Sequence, residues 1–219
     1  MDPYEDDAPE DNETEEGPTL PDIVEKLEEV WVNEKLAPDL LQYESDVVEI
    51  IFDQIQHMET NLQKIEKKDF RVVFHEMELD RIKYVLSSYL RIRLEKIEKF
   101  GFNLLHQESQ DETNLDLMSE EERNYAQEFT SNVKKYLHVV ALKNMPVNMQ
   151  NIKFEEICSK AQMDRSVFIK VKTDCPGVVI EDFSDYGEEE IVDLAAQSQH
   201  ILRYRPVASL LKSGALKLI

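Results

Sequence analysis

The chain has 219 residues, of which 42% are hydrophobic and 32% are charged, a balance typical of a soluble globular protein with charged helical surfaces. Its length accommodates one ordinary domain, or one domain with a small second one. The net charge of −21 repels nucleic-acid phosphates and argues against strong direct DNA or RNA binding. No apolar run approaches the ~18 residues that a membrane span needs, so we expect no contact with a membrane.

Residues 1–18 are predicted to be a disordered acidic tail. Nine acids and no bases lie within residues 1–16, and large apolar side chains are almost absent. A segment of this composition cannot bury enough apolar surface to fold. We interpret it as a solubilising tail in preference to a docking motif.

Residues 19–145 are predicted to form an α-helical domain of four helices. Thr19 and Asp22 resemble a capping box at the first helix, and Ser119 with Glu122 forms another at the fourth. The fourth helix must stop before Pro146. The polar, irregular residues 101–118 are predicted to be a loop. The second helix carries apolar residues at alternating steps of three and four, which is the spacing of a bundle seam: Val48, Ile51, Ile55, Met58, Leu62 and Ile65.

A long third helix follows a predicted turn at residues 67–69 and has an unusually wide apolar side. Between His75 and Phe100 its apolar residues sweep an arc of roughly 200°, whereas one core requires a stripe of about 100° or somewhat more. Two interpretations remain open: the helix lies centrally in its own bundle, or part of the arc is covered by another protein. Arg93 falls near the middle of the arc, where it needs a carboxylate or carbonyl partner.

Residues 146–164 are predicted to be a linker, and residues 165–219 a small β-rich domain. Val167, Ile169 and Val171 alternate with Phe168, Lys170 and Lys172, which predicts a strand. Pro176-Gly177 predicts a turn after it. Further strands are predicted at 178–180, 191–194 and 200–204, with a short helix at 207–212 and a final strand at the terminus. The predicted fold class is therefore mainly α, an N-terminal helical bundle with long helices plus a small C-terminal β-rich domain.

The sequence offers no catalytic motif, and we expect no catalytic residue, no metal site and no cofactor. The five histidines are scattered, and neither a Gly-rich phosphate cradle nor a Gly-x-Ser-x-Gly elbow is present. The acids between Glu181 and Glu190 lack the spacing of a calcium loop. Cys158 and Cys175 are expected to be reduced thiols of an intracellular protein. A binding or scaffolding protein is favoured over an enzyme whose site is not recognisable from sequence.

A nucleic-acid-binding module is the alternative function. The best local basic patch lies on the long helix, and it consists of Arg81, Lys83, Arg91 and Arg93. Acids flank these residues at three- and four-residue spacing on the same helix. A salt-bridged helix face is therefore favoured over phosphate contact.

Several separated groups of residues resemble the Sld-five subunit family of the eukaryotic GINS DNA replication complex. The first group lies in and just after the first helix, and it consists of Trp31, Asn33, Glu34, Ala37, Pro38, Leu40 and Leu41. The second runs along the long helix from residue 76 to residue 100. The others follow in consistent order: Ala141, Leu142, Lys143, Met145 and Pro146; Gln199, His200, Arg203 and Tyr204; and the ending from Ser213 to Ile219.

The resemblance implies a non-catalytic structural subunit of a nuclear heterotetramer with three sister subunits. With the Cdc-forty-five protein and the MCM ring, that complex forms the CMG replicative helicase in initiation and elongation. It also links the helicase to DNA polymerase and to the Ctf-four/And-one hub. The hub-binding motif known in some relatives is not evident in the acidic tail.

Residues on the long helix and in the β-rich domain are the predicted contacts with sister subunits. On the long helix they are Tyr84, Ser88, Arg91 and Arg93. In the β-rich domain they are Arg203, Tyr204, Leu216, Leu218 and Ile219. Leu216 and Leu218 are equally consistent with a purely internal core.

Overall fold

The computed structural model describes residues 20–64, 70–110, 117–150, 152–181 and 189–219. The predictions for the acidic tail, the Thr19 cap and the turn at 67–69 lie outside the described residues. So does the prediction for most of the acidic segment between Glu181 and Glu190.

Four helices build the first part of the chain, as predicted. They are α1 (Leu20–Leu36), α2 (Ser45–Leu62), α3 (Phe70–Gln110) and α4 (Glu120–Val140). The predicted capping box is confirmed at α4, where the Ser119 hydroxyl accepts from the Glu122 N–H and the Glu122 carboxylate accepts from the Ser119 N–H. These two bonds satisfy N–H groups that a helix start otherwise leaves unpaired.

The long helix α3 is the centre of the bundle and contacts α1, α2 and α4. Six of the apolar residues in its wide arc are buried, and Leu90 and Ile92 are half-buried. Only Leu94 is exposed. The interpretation that α3 lies centrally in its own bundle is therefore correct for most of the arc, because the chain's own helices cover it. The buried six are Leu79, Ile82, Val85, Leu86, Tyr89 and Ile97.

The prediction of a loop at 101–118 is wrong for its first ten residues, because α3 continues to Gln110. Gly101 reads as a helix breaker in the sequence, yet here it permits close packing. A Cβ at this position would lie 3.4 Å from Thr130 Cγ2 on α4. The apolar periodicity then continues through Leu104, which is buried against Met118 and Ala126. Gly101 thus lies inside α3 where the helix packs against α4, despite its unfavourable helix propensity.

The predicted linker contains local structure. Short 3₁₀ turns follow α4 at Leu142–Asn144 and Val147–Met149, and α5 spans Phe154–Ile157. The Phe154 ring stacks on Phe102 of α3, with 5.3 Å between ring centroids. This segment therefore packs against the bundle for at least part of its length.

The C-terminal part contains β1 (Ser166–Val171), β2 (Cys175–Glu181), β3 (Glu189–Leu194), β4 (Gln199–Arg203), α6 (Tyr204–Lys212) and β5 (Leu216–Leu218). An antiparallel sheet has the order β4-β1-β5, and β2 pairs with β3. Two local predictions are corrected. Pro176-Gly177 lies inside β2 at a register shift, with Gly177 at φ +72°, because a bulge uses the same residue types as a turn. Tyr204 begins α6 instead of ending β4.

The sheet packs directly on the helical bundle. Ala37 joins its apolar core, and Leu36 and Leu41 pack against that core. The Leu218 N–H donates to Asn33 Oδ1 at 2.8 Å. The β-rich part, small for an independent domain, is thus supported by the chain's own α1 and the residues that follow it.

Candidate interaction surfaces

Arg93 is the centre of a buried ion-pair network. It is 0% exposed, and its Nε and Nη2 donate to the two carboxylate oxygens of Glu122 at 2.8 and 2.9 Å. Its Nη1 donates to Glu34 at 3.2 Å. The carbonyls of Leu41 and Leu117 accept at 2.8 and 2.7 Å. The partners that the sequence required for this guanidinium are therefore present, and every one comes from within the chain.

Lys96 extends the network towards the loop after α1. Its Nζ donates to the Glu34 carboxylate at 2.6 Å and to the Asp39 carbonyl at 2.6 Å. Burial lowers the pKa of Lys96, and the charge of Glu34 limits that effect. Burial also opposes the charge of Arg93, but the hydrogen bond to Glu122 and the charges of Glu122 and Glu34 together outweigh it, so the pKa of Arg93 is raised. The network joins α1, α3 and the start of α4, and its role is structural.

Asp39 and Tyr204 meet where the bundle contacts α6. Burial raises the pKa of Asp39, and the nearby Tyr204 and Lys96 partly counteract it. Burial also raises the pKa of Tyr204. Asp39 Oδ1 and the Tyr204 hydroxyl each lack a direct hydrogen-bond partner, although each influences the ionisation of the other.

Asp39 also lines a cavity of about 310 Å³ with Lys160 and Lys212. Within the described ranges, no three His, Cys, Asp or Glu side chains are placed to hold a metal ion. None of the helices described here is long and apolar enough to cross a membrane.

Four of the nine predicted contact residues fill the interior of the chain. Arg93 has its partners in the ion-pair network. Tyr204, Leu216 and Leu218 belong to the core beneath the sheet, where α6 and the inward side of β5 meet β1. In this conformation all four offer a partner no surface.

The other five predicted contact residues retain accessible surface. Tyr84 is 64% exposed, and its ring meets Trp31 edge-on at 6.4 Å. The Trp31 Nε1 donates to Ser88 Oγ at 3.0 Å, and Arg91 is exposed one turn further along. These positions form a ridge along α3 beside α1. Arg203 and Ile219 lie in the sheet, Arg203 half-buried and Ile219 exposed.

Ile219 belongs to an apolar outer sheet face, which we define as Phe168, Ile201 and Ile219. All three are exposed. Phe168 and Ile201 face each other across β1 and β4, and the Ile219 N–H donates to the Phe168 carbonyl at 3.1 Å. Alternation along the strands places Arg203 on the same side.

A second apolar surface lies at the beginning of α3. Phe70 is 71% exposed, and Val73, Phe74 and Met77 are also exposed. Their spacing of three and four places them on one helix face. We call these four residues the α3 start surface.

The third apolar surface is formed by the end of α4 and the turns after it. Every residue from 134 to 140 is exposed, so the last two turns of α4 are not covered by the bundle. We call the exposed apolar residues here the α4 end surface, and they are Tyr136, Leu137, Val139, Val140, Met145, Val147 and Met149.

The sequence did not predict the α3 start and α4 end surfaces. Phe70 and Phe74 precede the wide apolar arc between His75 and Phe100. Leu137 and Val140 lie within the predicted fourth helix, but periodicity does not show whether anything covers a helix face. A usable signal was the absence of acids from residues 129 to 154, which is unusual in a chain with 46 of them.

Three exposed apolar surfaces, one on the sheet and two on the helical bundle, are of the kind found at protein–protein contacts. The family described as "GINS complex protein helical bundle domain" matches residues 50–141, and "DNA replication complex GINS protein SLD5 C-terminus" matches residues 162–219.

Curated relatives agree over most of the chain. DNA replication complex GINS protein SLD5 of Bos taurus is 42% identical over 211 residues, covering 95% of each chain. The Homo sapiens protein of the same name is 41% identical, covering 92% of this chain and 91% of its own. The Schizosaccharomyces pombe relative is 30% identical, covering 86% of this chain and 88% of its own. The chain belongs to the SLD5 family of GINS proteins, which confirms the resemblance.

Proposed function

We propose that this chain is a structural, non-enzymatic subunit of a heterotetrameric GINS complex and assembles with three sister subunits in DNA replication. The observation that supports this most strongly is the α4 end surface, where seven consecutive helical residues are uncovered. Obligate interfaces are large and resemble a protein core, so apolar helix faces of this kind are suited to partner chains.

The proposal extends to the larger assembly. Together with the Cdc-forty-five protein and the MCM ring, the complex would form the replicative helicase in the nucleus, with further links to DNA polymerase and the Ctf-four/And-one hub. The support is membership of a family whose relatives are named as DNA replication complex proteins. The structure contributes the rigid bundle that such a scaffold requires.

The domain limits and contact residues also belong to the proposal. A helical domain at 19–145 and a β-rich domain at 165–219, joined by residues 146–164, would each provide contacts. In the helical domain the contacts would lie on the ridge of Tyr84, Ser88 and Arg91. In the β-rich domain they would lie on the outer sheet face with Arg203 and Ile219.

The nucleic-acid alternative has little geometric support. Arg81 pairs with Glu28 and Glu78, and Lys83 pairs with Glu59. Arg93 is inside the bundle. Of the four cations proposed to contact phosphate, only Arg91 stands exposed without a carboxylate among the described residues.

Co-expression with the sister subunits tests the proposal. Phe74→Glu places a charge in the α3 start surface, and His75→Glu adds the same charge at the adjacent exposed position. We expect Phe74→Glu to reduce recovery of the tetramer by about tenfold, since a buried unpaired carboxylate is costly. His75→Glu should leave recovery within about twofold. Circular dichroism should show equal helix content in both variants.

Recovery of intact tetramer at the wild-type level from Phe74→Glu would exclude this surface from the interface. A chain that remains soluble and monodisperse alone, and recovers no sister subunit on co-expression, would contradict the proposed function itself.

A further inference from the structure

The chain concentrates positive charge beside the α4 end surface. Residues 129–154 contain no acid and include Lys134, Lys135, Lys143 and Lys153, together with His138, although the whole chain carries −21. Among the residues that the structure describes, Lys134, Lys135 and Lys143 form no ion pair.

Three of these lysines and His138 border an apolar groove of about 580 Å³ between the end of α4 and the segment before α5. We call its lining the basic apolar face, which consists of Lys134, Lys135, His138, Val139, Leu142, Gln150, Ile152, Lys153 and Phe154. Val139 is 67% exposed. A ligand that fills this groove must therefore provide both apolar surface and negative charge.

The floor of the groove is held rigidly. Phe102 and Phe154 stack on each other, and the Lys134 ammonium lies 5.3 and 5.8 Å from the two ring centroids. The Gln150 side chain donates to the Met145 carbonyl at 2.8 Å and fixes the turn after α4. Preorganisation of this kind lowers the entropic cost of binding.

We propose that the basic apolar face binds an acidic amphipathic helix of a partner protein. Large apolar side chains at three- and four-residue spacing would enter the groove beside Val139 and Ile152. Carboxylates on the flanks of that helix would meet Lys135 and His138, in the helix-in-groove mode of recognition. The inference rests on the proposed function, since it names the chemistry of one contact within that assembly.

Two other occupants fit the face less well. Single-stranded nucleic acid binds through open aromatic rings on which bases stack, but the Phe102 and Phe154 rings cover each other beneath Lys134. The chain's own residues 1–16 have the necessary charge, but Tyr4 is their only aromatic residue and they contain no Leu, Ile, Val or Phe. Neither would bury the apolar half of the groove.

A binding measurement on the full-length chain tests the proposal. The probe is a fluorescent synthetic helix with Leu at the i, i+3, i+4, i+7 positions and Glu elsewhere, followed by anisotropy. The comparison probes are the same helix with Lys for Glu, the same helix with Ser for Leu, a peptide of residues 1–16 and single-stranded DNA. We expect only the Glu/Leu helix to bind, with an affinity that falls as salt rises.

Variants locate the binding. Lys135→Glu should lower the affinity for the Glu/Leu helix roughly fivefold, because it reverses a charge at the rim of the groove. Val139→Glu should lower it about tenfold or more, because it blocks the apolar contact. Lys64→Glu makes the same charge change at the end of α2 and should leave affinity within about twofold. Because Lys135 and Val139 are exposed, both variants should keep wild-type helix content.

The inference would be overturned if DNA or the 1–16 peptide bound more tightly than the Glu/Leu helix, or if the Lys or Ser helices bound equally well. It would also be overturned if Lys135→Glu and Val139→Glu left the affinity for the Glu/Leu helix unchanged. Absence of binding by the Glu/Leu helix, with sister subunits still recovered on co-expression, would remove the inference and leave the proposed function intact. Failure to recover the sister subunits would count against the proposed function, whatever the peptides do.

Discussion

The surroundings of Arg93 and the end of α4 differ in where their side chains find partners. Arg93 is fully buried, and two carboxylates and two carbonyls from the same chain satisfy its guanidinium. The last two turns of α4 expose apolar and basic side chains that no other described residue covers. The first region stabilises the folded chain, whereas the second is available to another molecule. Mutations should therefore separate stability from assembly.

The largest effect on stability is expected at Arg93. Arg93→Ala leaves Glu34 and Glu122 buried without their shared counter-charge, and the free energy of unfolding should fall by roughly 3–5 kcal/mol. Arg91→Ala, two residues away but exposed, should change it by less than about 0.5 kcal/mol. Urea unfolding of both variants provides the measurement. Similar losses for both would show that the network does not hold the bundle together.

A smaller loss is expected where the sheet meets α1. Asn33→Ala removes the acceptor for the Leu218 N–H, and a buried unpaired donor costs about 1–3 kcal/mol. Amide exchange should accelerate in β5 more than in α3. The control is Lys35→Ala, which changes an exposed neighbour. Unchanged exchange in β5 would mean that this bond does not couple the sheet to the bundle.

The smallest effect, and one that depends on pH, is expected at Asp39. Its pKa is raised by burial, so the folded state favours the protonated carboxyl and ionisation reduces stability. Asp39→Asn should therefore gain stability relative to wild type at pH 7. That advantage should shrink as the pH falls through the raised pKa of Asp39. An advantage that stays constant with pH would show that Lys96 and Lys212 already compensate the buried charge.

Much of this fold was predictable because its signals are local. The four helices, the Ser119 cap and the alternation of Val167, Ile169 and Val171 depend on residues close together in the sequence. The continuation of α3 through Gly101 was not predictable, because a glycine followed by mostly polar residues is equally typical of a loop. The bulge at Gly177 was also not predictable, because it depends on pairing with β3.

The candidate sites were harder to predict, since exposure is a property of the whole fold. The wide arc of α3 was consistent with either a central place in the bundle or contacts with a partner, and α1, α2 and α4 cover most of it. Tyr204, Leu216 and Leu218 have the same apolar character as interface residues, and only the packing of the sheet shows that they are interior. Conversely, Val139 and Val140 have an ordinary helical spacing, yet they are exposed.

Hydrogen–deuterium exchange on the chain alone and within the assembled complex tests the central claim most directly. The backbone amides of residues 136–140 should become strongly protected on assembly, while those around Arg93 should keep their rates. A complex that forms with full occupancy and leaves the end of α4 exchanging as fast as in the lone chain would contradict the claim that partner chains cover this surface.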